Sequence, residues 1–217
     1  TYNQYDAEDN TPAGKTHSEE VDAILSVAPY YNKPTQEGIF QHFRSIADSV
    51  KIPIILYNVP GRTGTNILPS TVFRLARAQN IIGLKEAGGD LVQIMNLLSH
   101  RPPSFSIFAG DDNIALALSC LGGQGLISVA SNLIPSEMSE MIKLAESGNL
   151  EQARQIHYRY LRLMNLNFLE SNPIPVKYIL SRMGRIKEVY RLPMCPMSKI
   201  NKVKIDRELE NLGLISH

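Results

Sequence analysis

The chain has 217 residues, 43% of them hydrophobic and 20% charged, the make-up of a globular protein long enough to bury a core. Its formal net charge of +1 argues against general affinity for nucleic acid or anionic membranes. No apolar run approaches the roughly 20 residues that cross a bilayer, and the N-terminus lacks the basic, apolar and small-residue regions of a secretory signal. A cytoplasmic protein with neither nucleic-acid nor membrane partners is expected.

Residues 1 to 20, TYNQYDAEDNTPAGKTHSEE, contain no Leu, Ile, Val, Phe or Met. Such a stretch cannot bury enough apolar surface to offset the entropy of ordering it, which predicts a polar tail or linker. From Val21 the pattern changes. Apolar runs at 21–29 (VDAILSVAP), 53–60 (PIILYNVP), 80–87 (NIIGLKEA), 106–112 (SIFAGDD) and 125–130 (GLISVA) alternate with amphipathic stretches. Runs that stay apolar over consecutive positions suit parallel strands covered on both faces. The intervening stretches GIFQHFRSIADSV, PSTVFRLARA, DLVQIMNLLSH and NIALALSCLGG are helical in pattern, with start signals at Pro69, Ser70 and Asp90. Strand and helix alternating in this way predict an α/β fold of right-handed βαβ units. After Pro135 no further strand is expected. Helices over SEMSEMIKLAESG, NLEQARQIHYRYLRLMNLNFLE, PVKYILSRMG and KINKVKIDRELENLG complete the chain. The division expected is a catalytic α/β part over 21–148 and a C-terminal helical domain over 149–217.

The polar and reactive residues gather at strand ends. Pro29-Tyr30-Tyr31-Asn32, Tyr57-Asn58, Lys85-Glu86, Gly110-Asp111-Asp112 and Ser128 each follow an apolar run. The C-terminal ends of parallel strands carry the active site in βα-barrels and the ligand crevice in open sheets. Lys85 comes after the apolar IIGL and should point inward, where desolvation favours its neutral, nucleophilic form. The alternative is a buried ion pair with Glu86 or Asp111. Tyr57 is either a proton relay to such a lysine or a core tyrosine with a backbone partner. Arg62, in a loop held by Pro60, Gly61 and Gly64, is either a bidentate carboxylate clamp or a solvated surface arginine. Asp111 and Asp112 lack the supporting ligands of a metal site and suit helix capping. His42 and His157 are expected on helix surfaces. Cys120 and Cys195 form no metal or disulfide pattern and are expected to pack as small apolar groups. Neither GGQG at 122–125 nor Gly88-Gly89 has the context of a phosphate loop, so turns are expected.

Taken together, PYYNKPTQEG (29–38), ILYNVPGRTG (55–64), IIGLKEAGGD (81–90), FAGDD (108–112) and NPIPVK (172–177) resemble the dihydrodipicolinate synthase family in order and over nearly all of the chain beyond the tail. The resemblance implies the (β/α)8 TIM-barrel fold, represented here by about five C-terminal βα units plus the helical domain. It also implies a class I aldolase that condenses pyruvate with L-aspartate 4-semialdehyde on the way to diaminopimelate and lysine. Lys85 would form the Schiff base, and no metal or organic cofactor would be needed. Tyr57 would shuttle protons, and Arg62 would bind the aldehyde's carboxylate. Tyr31 would reach into the partner's site across a tight dimer, usually paired into a tetramer. Gly110 and Ile127 would line the pyruvate pocket, and Tyr30 would lie near a lysine-feedback site. N-acetylneuraminate lyase and keto-deoxy-sugar-acid aldolases share the barrel and the lysine. Arg62 favours the synthase, since the sugar-acid enzymes usually lack an arginine in that loop.

The sequence departs from the family at its start. Three βα units and the GTTGE motif, expected to help bind pyruvate and to link the relay tyrosines, have no counterpart before Val21. Five strands cannot close an eight-stranded barrel. Three expectations stand side by side: a stretch of a longer protein, a shortened homologue serving as a binding or assembly module, and a decayed gene product.

Overall fold

The computed structural model describes residues 21–215, so the tail expected over residues 1 to 20 lies outside the described residues. Five strands occur among them: β1 (Ile24–Val27), β2 (Ile54–Asn58), β3 (Ile81–Glu86), β4 (Ser106–Ala109) and β5 (Gly125–Leu126). The helices are α1 (Gln36–Ser49), α2 (Pro60–Thr63), α3 (Pro69–Leu75), α4 (Leu91–His100), α5 (Ala115–Cys120), α6 (Pro135–Glu146), α7 (Leu150–Leu166), α8 (Ile174–Arg182) and α9 (Lys199–Asn211). Contacts gather into two compact units, one ending at Gly110 and one beginning at Asp111. The sequence-based boundary at 148 marks where strands give way to helices, which is a different division.

In the first unit β1, β2, β3 and β4 pair in parallel and in chain order. The register places Val27, Tyr57, Lys85 and Phe108 in one row across the sheet. Asn58, Glu86 and Ala109 form the next row. Because side chains alternate along a strand, these rows face opposite ways. Leu56, Leu84 and Ile107 share the face of Asn58 and Glu86 and are fully buried. Each such leucine stabilises the fold by about 1.5–3 kcal/mol relative to an exposed one. Helices α1, α3 and α4 pack in series; Gln93 of α4 reaches Glu86 on this face, and Gln36 of α1 donates to Asn66 O in the loop beyond β2. The opposite face, with Leu25, Ile55, Tyr57 and Lys85, is only partly covered. Burial along β2 therefore alternates, where the apolar runs suggested equal cover on both sides.

The helices begin where local chemistry permits. Thr35 caps α1, its hydroxyl accepting from the Gly38 N–H at 3.2 Å, and Ile39, Phe43 and Ala47 then form a buried stripe. Asp90 caps α4 by accepting from the N–H groups of Val92 (2.8 Å) and Gln93 (3.2 Å). Prolines open α2, α3 and α6, a position where the missing N–H is not needed.

The second unit is mainly helical, with α6 on α5 and α7, and α9 on α7 and α8. Tyr178 donates to Asp206 at 2.9 Å, and Arg182 Nε donates to the same carboxylate at 2.8 Å. Burial, followed by the Asp206 carboxylate, raises the Tyr178 phenol above its usual range. Several expectations are corrected here. His157 is buried, because it shares the inward stripe of α7 with Ala153, Tyr160 and Met164. Cys120 and Cys195 are exposed, one at the last residue of α5 and the other in the loop before α9. The run GLISVA is a strand only at Gly125–Leu126. The N–H groups of Val129 (3.2 Å) and Ala130 (2.9 Å) instead bond the carboxylate of Asp112, which also accepts from the Ser128 hydroxyl. Asp112 thus caps a short turn at 130–132, distant in sequence from its own helix.

Candidate active site

The end of the sheet formed by the strand C-termini gathers most of the singled-out residues of the first unit. Tyr57 and Lys85 are direct partners in the β2–β3 register. The Lys85 ammonium lies 4.4 Å from the centre of the Tyr57 ring, and both residues are half-buried. A cation over an aromatic face is held by the ring quadrupole, an attraction worth about 0.5–2 kcal/mol depending on desolvation. The side chain is thereby held against the sheet, with its nitrogen over the Tyr57 ring.

The carboxylate of Glu86, one residue on, faces away from Lys85 and accepts from Asn58 Nδ2 at 3.1 and 3.0 Å. No single motif in the sequence marks Asn58, Asn66, Gln93 and Glu86 as a cluster. The available signal was a polar residue directly after each candidate, Asn58 after Tyr57 and Glu86 after Lys85, on strands expected to be neighbours.

Arg62 is exposed on α2, a single turn that follows β2 directly. The sequence indicated only a loop here. Pro60 at the first helical position and left-handed Gly64 (φ 68°), whose N–H bonds Pro60 O at 2.9 Å, close it into a helix. Buried Thr63 anchors the turn through its hydroxyl to Thr65 O at 2.9 Å. The guanidinium is therefore presented from a rigid base at the same end of the sheet. The aliphatic stem of Lys33 rests on Gly64, its Cε 3.1 Å from the point a Cβ would occupy.

Tyr31 follows β1 and is 92% exposed, with left-handed backbone (φ 70°); Lys33 is left-handed too (φ 46°). Such conformations cost about 1–3 kcal/mol in residues other than glycine. Tyr30 is half-exposed. Gly110 ends the first unit. Its N–H donates to Glu86 O at 2.7 Å, and a Cβ there would fall 2.5 Å from Ala87 Cβ. Ile127 belongs to the second unit, just beyond β5 and within the segment pinned by Asp112.

Among the described residues no helix is long and apolar enough to cross a membrane. A family profile described as the Dihydrodipicolinate synthetase family matches residues 8–212. The 4-hydroxy-tetrahydrodipicolinate synthase of Pelodictyon phaeoclathratiforme is 57% identical over 193 residues, covering 88% of this chain and 65% of the relative. That of Chlorobium phaeobacteroides is 55% identical over 195 residues, covering 89% and 66%. The chain thus spans about two thirds of the length of these curated relatives. The crystal structure of the dihydrodipicolinate synthase of Thermotoga maritima superposes with a TM-score of 0.88 at 42% identity, over 90% of this chain and 68% of that one. The five strands and their helices match the corresponding part of a TIM-barrel fold, and the chain belongs to the dihydrodipicolinate synthetase family.

Proposed function

We propose that the chain carries the Schiff-base machinery of 4-hydroxy-tetrahydrodipicolinate synthase, a cytoplasmic lyase of diaminopimelate and lysine biosynthesis. The observation that carries this reading is the half-buried Lys85 ammonium, 4.4 Å from the Tyr57 ring centre at the C-terminal end of paired parallel strands. The relatives named as this synthase support it.

In this mechanism the Lys85 amine attacks the keto carbon of pyruvate, and the carbonyl oxygen leaves as water to give an imine. The positively charged iminium draws electrons from the adjacent methyl group, which loses a proton and becomes an enamine nucleophile. The enamine carbon attacks the aldehyde carbon of L-aspartate 4-semialdehyde, and the aldehyde oxygen takes up a proton. The substrate's own amine then displaces Lys85 from the imine carbon, closing the ring and freeing the lysine. Tyr57 is suited to the proton transfers by its position against the lysine. Arg62, an exposed guanidinium at the same end of the sheet, suits the carboxylate of the incoming aldehyde. Gly110 supplies backbone groups toward pyruvate, and no organic cofactor or metal takes part.

Tyr31 belongs to the assembled enzyme in this reading. A 92% exposed aromatic ring on strained backbone is costly in an isolated chain and well suited to a partner's surface. It would complete the proton relay in the neighbouring subunit of a tight dimer within a tetramer. Tyr30 beside it would serve lysine feedback.

Trapping with pyruvate and borohydride tests the core of the reading. Reduction fixes the imine as a stable secondary amine, and peptide mapping locates it. The adduct is expected on Lys85 and absent from Lys85→Ala. Folded chain that gains no adduct, beside a full-length relative that labels normally, refutes the proposal.

A further inference from the structure

The geometry points to Glu86 as a positioning residue for Lys85, acting through Asn58 from the opposite face of the sheet; this inference rests on the Schiff-base reading above. Glu86 is 1% exposed and Asn58 is fully buried. Asn58 Nδ2 donates to both Glu86 oxygens and to Asn66 Oδ1 at 2.8 Å. The Gly88 N–H donates to Glu86 Oε1 at 2.6 Å, and Gln93 Nε2 donates to Oε2 at 3.3 Å. Asn58 Oδ1 accepts from the Ile67 N–H at 2.9 Å, and Asn66 Nδ2 donates to Gln93 Oε1 at 2.9 Å. One carboxylate therefore ties together the end of β2, the turn leaving β3, the 66–67 loop and α4.

Stability alone is a poor reason for this arrangement. A buried ionisable group is costly to desolvate, and well-packed apolar residues of similar size often do as well or better. Hydrogen bonds contribute what apolar packing does not, a fixed distance and direction. Asn58 and Glu86 are register partners one residue beyond the Tyr57–Lys85 pair. Clamping them sets the height and rotation of both strand ends. A slip of one residue would turn the lysine into the helix layer. The bond to the Gly88 N–H fixes the turn that leaves β3, so the strand end is held just beyond Lys85. The flexible four-carbon stem then swings from a stationary root, and its ammonium meets the Tyr57 ring in one place.

The exchange Glu86→Gln tests this in the full chain. It keeps the size of the side chain and replaces one acceptor with a donor that faces other donors. Trapping with pyruvate and borohydride is expected to slow by about tenfold or more, since displacement of a reacting group by an ångström costs up to about a hundredfold. The pyruvate concentration for half-maximal labelling is expected to stay unchanged. The double exchange Asn58→Asp with Glu86→Gln reverses donor and acceptor and should recover most of the rate; slowed labelling of Glu86→Gln at an unchanged unfolding midpoint separates positioning from a destabilised fold. Unaltered labelling by Glu86→Gln overturns the inference, as does a slow double exchange with a native unfolding midpoint. Should Glu86→Gln fail to fold, Gln93→Leu removes the outer donor from a half-buried helix position, with slowing again expected. If the unsubstituted chain gains no adduct, the Schiff-base reading fails by itself. Competitive acetylation without pyruvate then decides the positioning. Glu86→Gln should raise the rate at Lys85 severalfold relative to exposed Lys51 and Lys143, and an unchanged ratio refutes it.

Discussion

Gly110 shows how tightly single residues constrain the candidate site. Its N–H donates to Glu86 O, and a Cβ built on it would lie 2.5 Å from Ala87 Cβ and 3.0 Å from Glu86 O. Both obstacles belong to the turn just after Lys85, so a methyl group at 110 must push that turn aside. Gly110→Ala is expected to destabilise the chain by about 1–3 kcal/mol, the usual range for overpacking, as a lower urea midpoint. Gly61 is the internal control. Nothing lies within 4 Å of its Cβ position, and it sits inside α2. Gly61→Ala should leave stability unchanged or raise it by up to about 1 kcal/mol through the unfolded chain. Equal changes at both positions would mean that the close contacts at Gly110 add no cost of their own. Lys85 and Tyr57 were legible in the sequence because each ends an apolar run, which fixes the end of the sheet it occupies. The cluster behind them was not. Asn58, Asn66 and Gln93 are spaced 8 and 27 residues apart, and their meeting depends on the β2–β3 register, which no local pattern encodes.

Elements were legible in proportion to their length and independence. The 3.6-residue stripe of α1 and the cap at Asp90 could be read from the residues alone, since helix hydrogen bonds close within the segment. The one-turn α2 and the shortened β5 could not. The first depends on a left-handed Gly64, and the second loses its backbone donors to the carboxylate of Asp112. The inward stripe of α7 has a measurable consequence through His157. Burial pushes its imidazole below the ordinary value of 6.5, and its Nδ1 is buried without a hydrogen-bond partner. The folded chain therefore favours neutral His157, while the unfolded chain binds a proton near pH 6.5. Above that pH both states are neutral and the stability is complete. As pH falls below 6.5 the unfolded state binds more protons, and stability declines by at most about 1.4 kcal/mol per pH unit for this group. The decline ends once the folded imidazole also protonates. His42 in α1 is shifted the same way by burial and adds to the slope. In urea titrations from pH 7.5 to 5, His157→Leu is expected to unfold with a shallower pH dependence than the parent chain. An identical slope in the two proteins would assign the pH dependence elsewhere.

At the scale of the whole molecule, the site in this chain has groups that look outward. The sheet face that bears Tyr57 and Lys85 is only partly covered, and Tyr31 holds a phenol 92% exposed to solvent on a left-handed backbone. If each subunit of a two-fold dimer lends Tyr31 to its partner, the catalytic unit is composite, and composite sites can be rebuilt from two damaged chains. In an isologous pair the contact runs both ways, from the first chain to the second and back. A Tyr31→Phe chain keeps its own lysine and lends its partner a ring without the hydroxyl. A Lys85→Ala chain has no lysine to trap but still lends an intact tyrosine. Each variant alone is expected to form the pyruvate adduct slowly or not at all. After subunit exchange at equal concentrations, about half of the dimers are mixed, and each mixed dimer holds one complete site of its two. Borohydride trapping at Lys85 of the Tyr31→Phe chains should then recover to about a quarter of the parental extent, following the two-fold arithmetic. The recovery should vanish when dilution below the dissociation constant separates the subunits. Were the mixture to label no better than the average of its components while sedimenting as a mixed dimer, Tyr31 would act within its own chain or not at all. The exposure of its ring would then need another explanation.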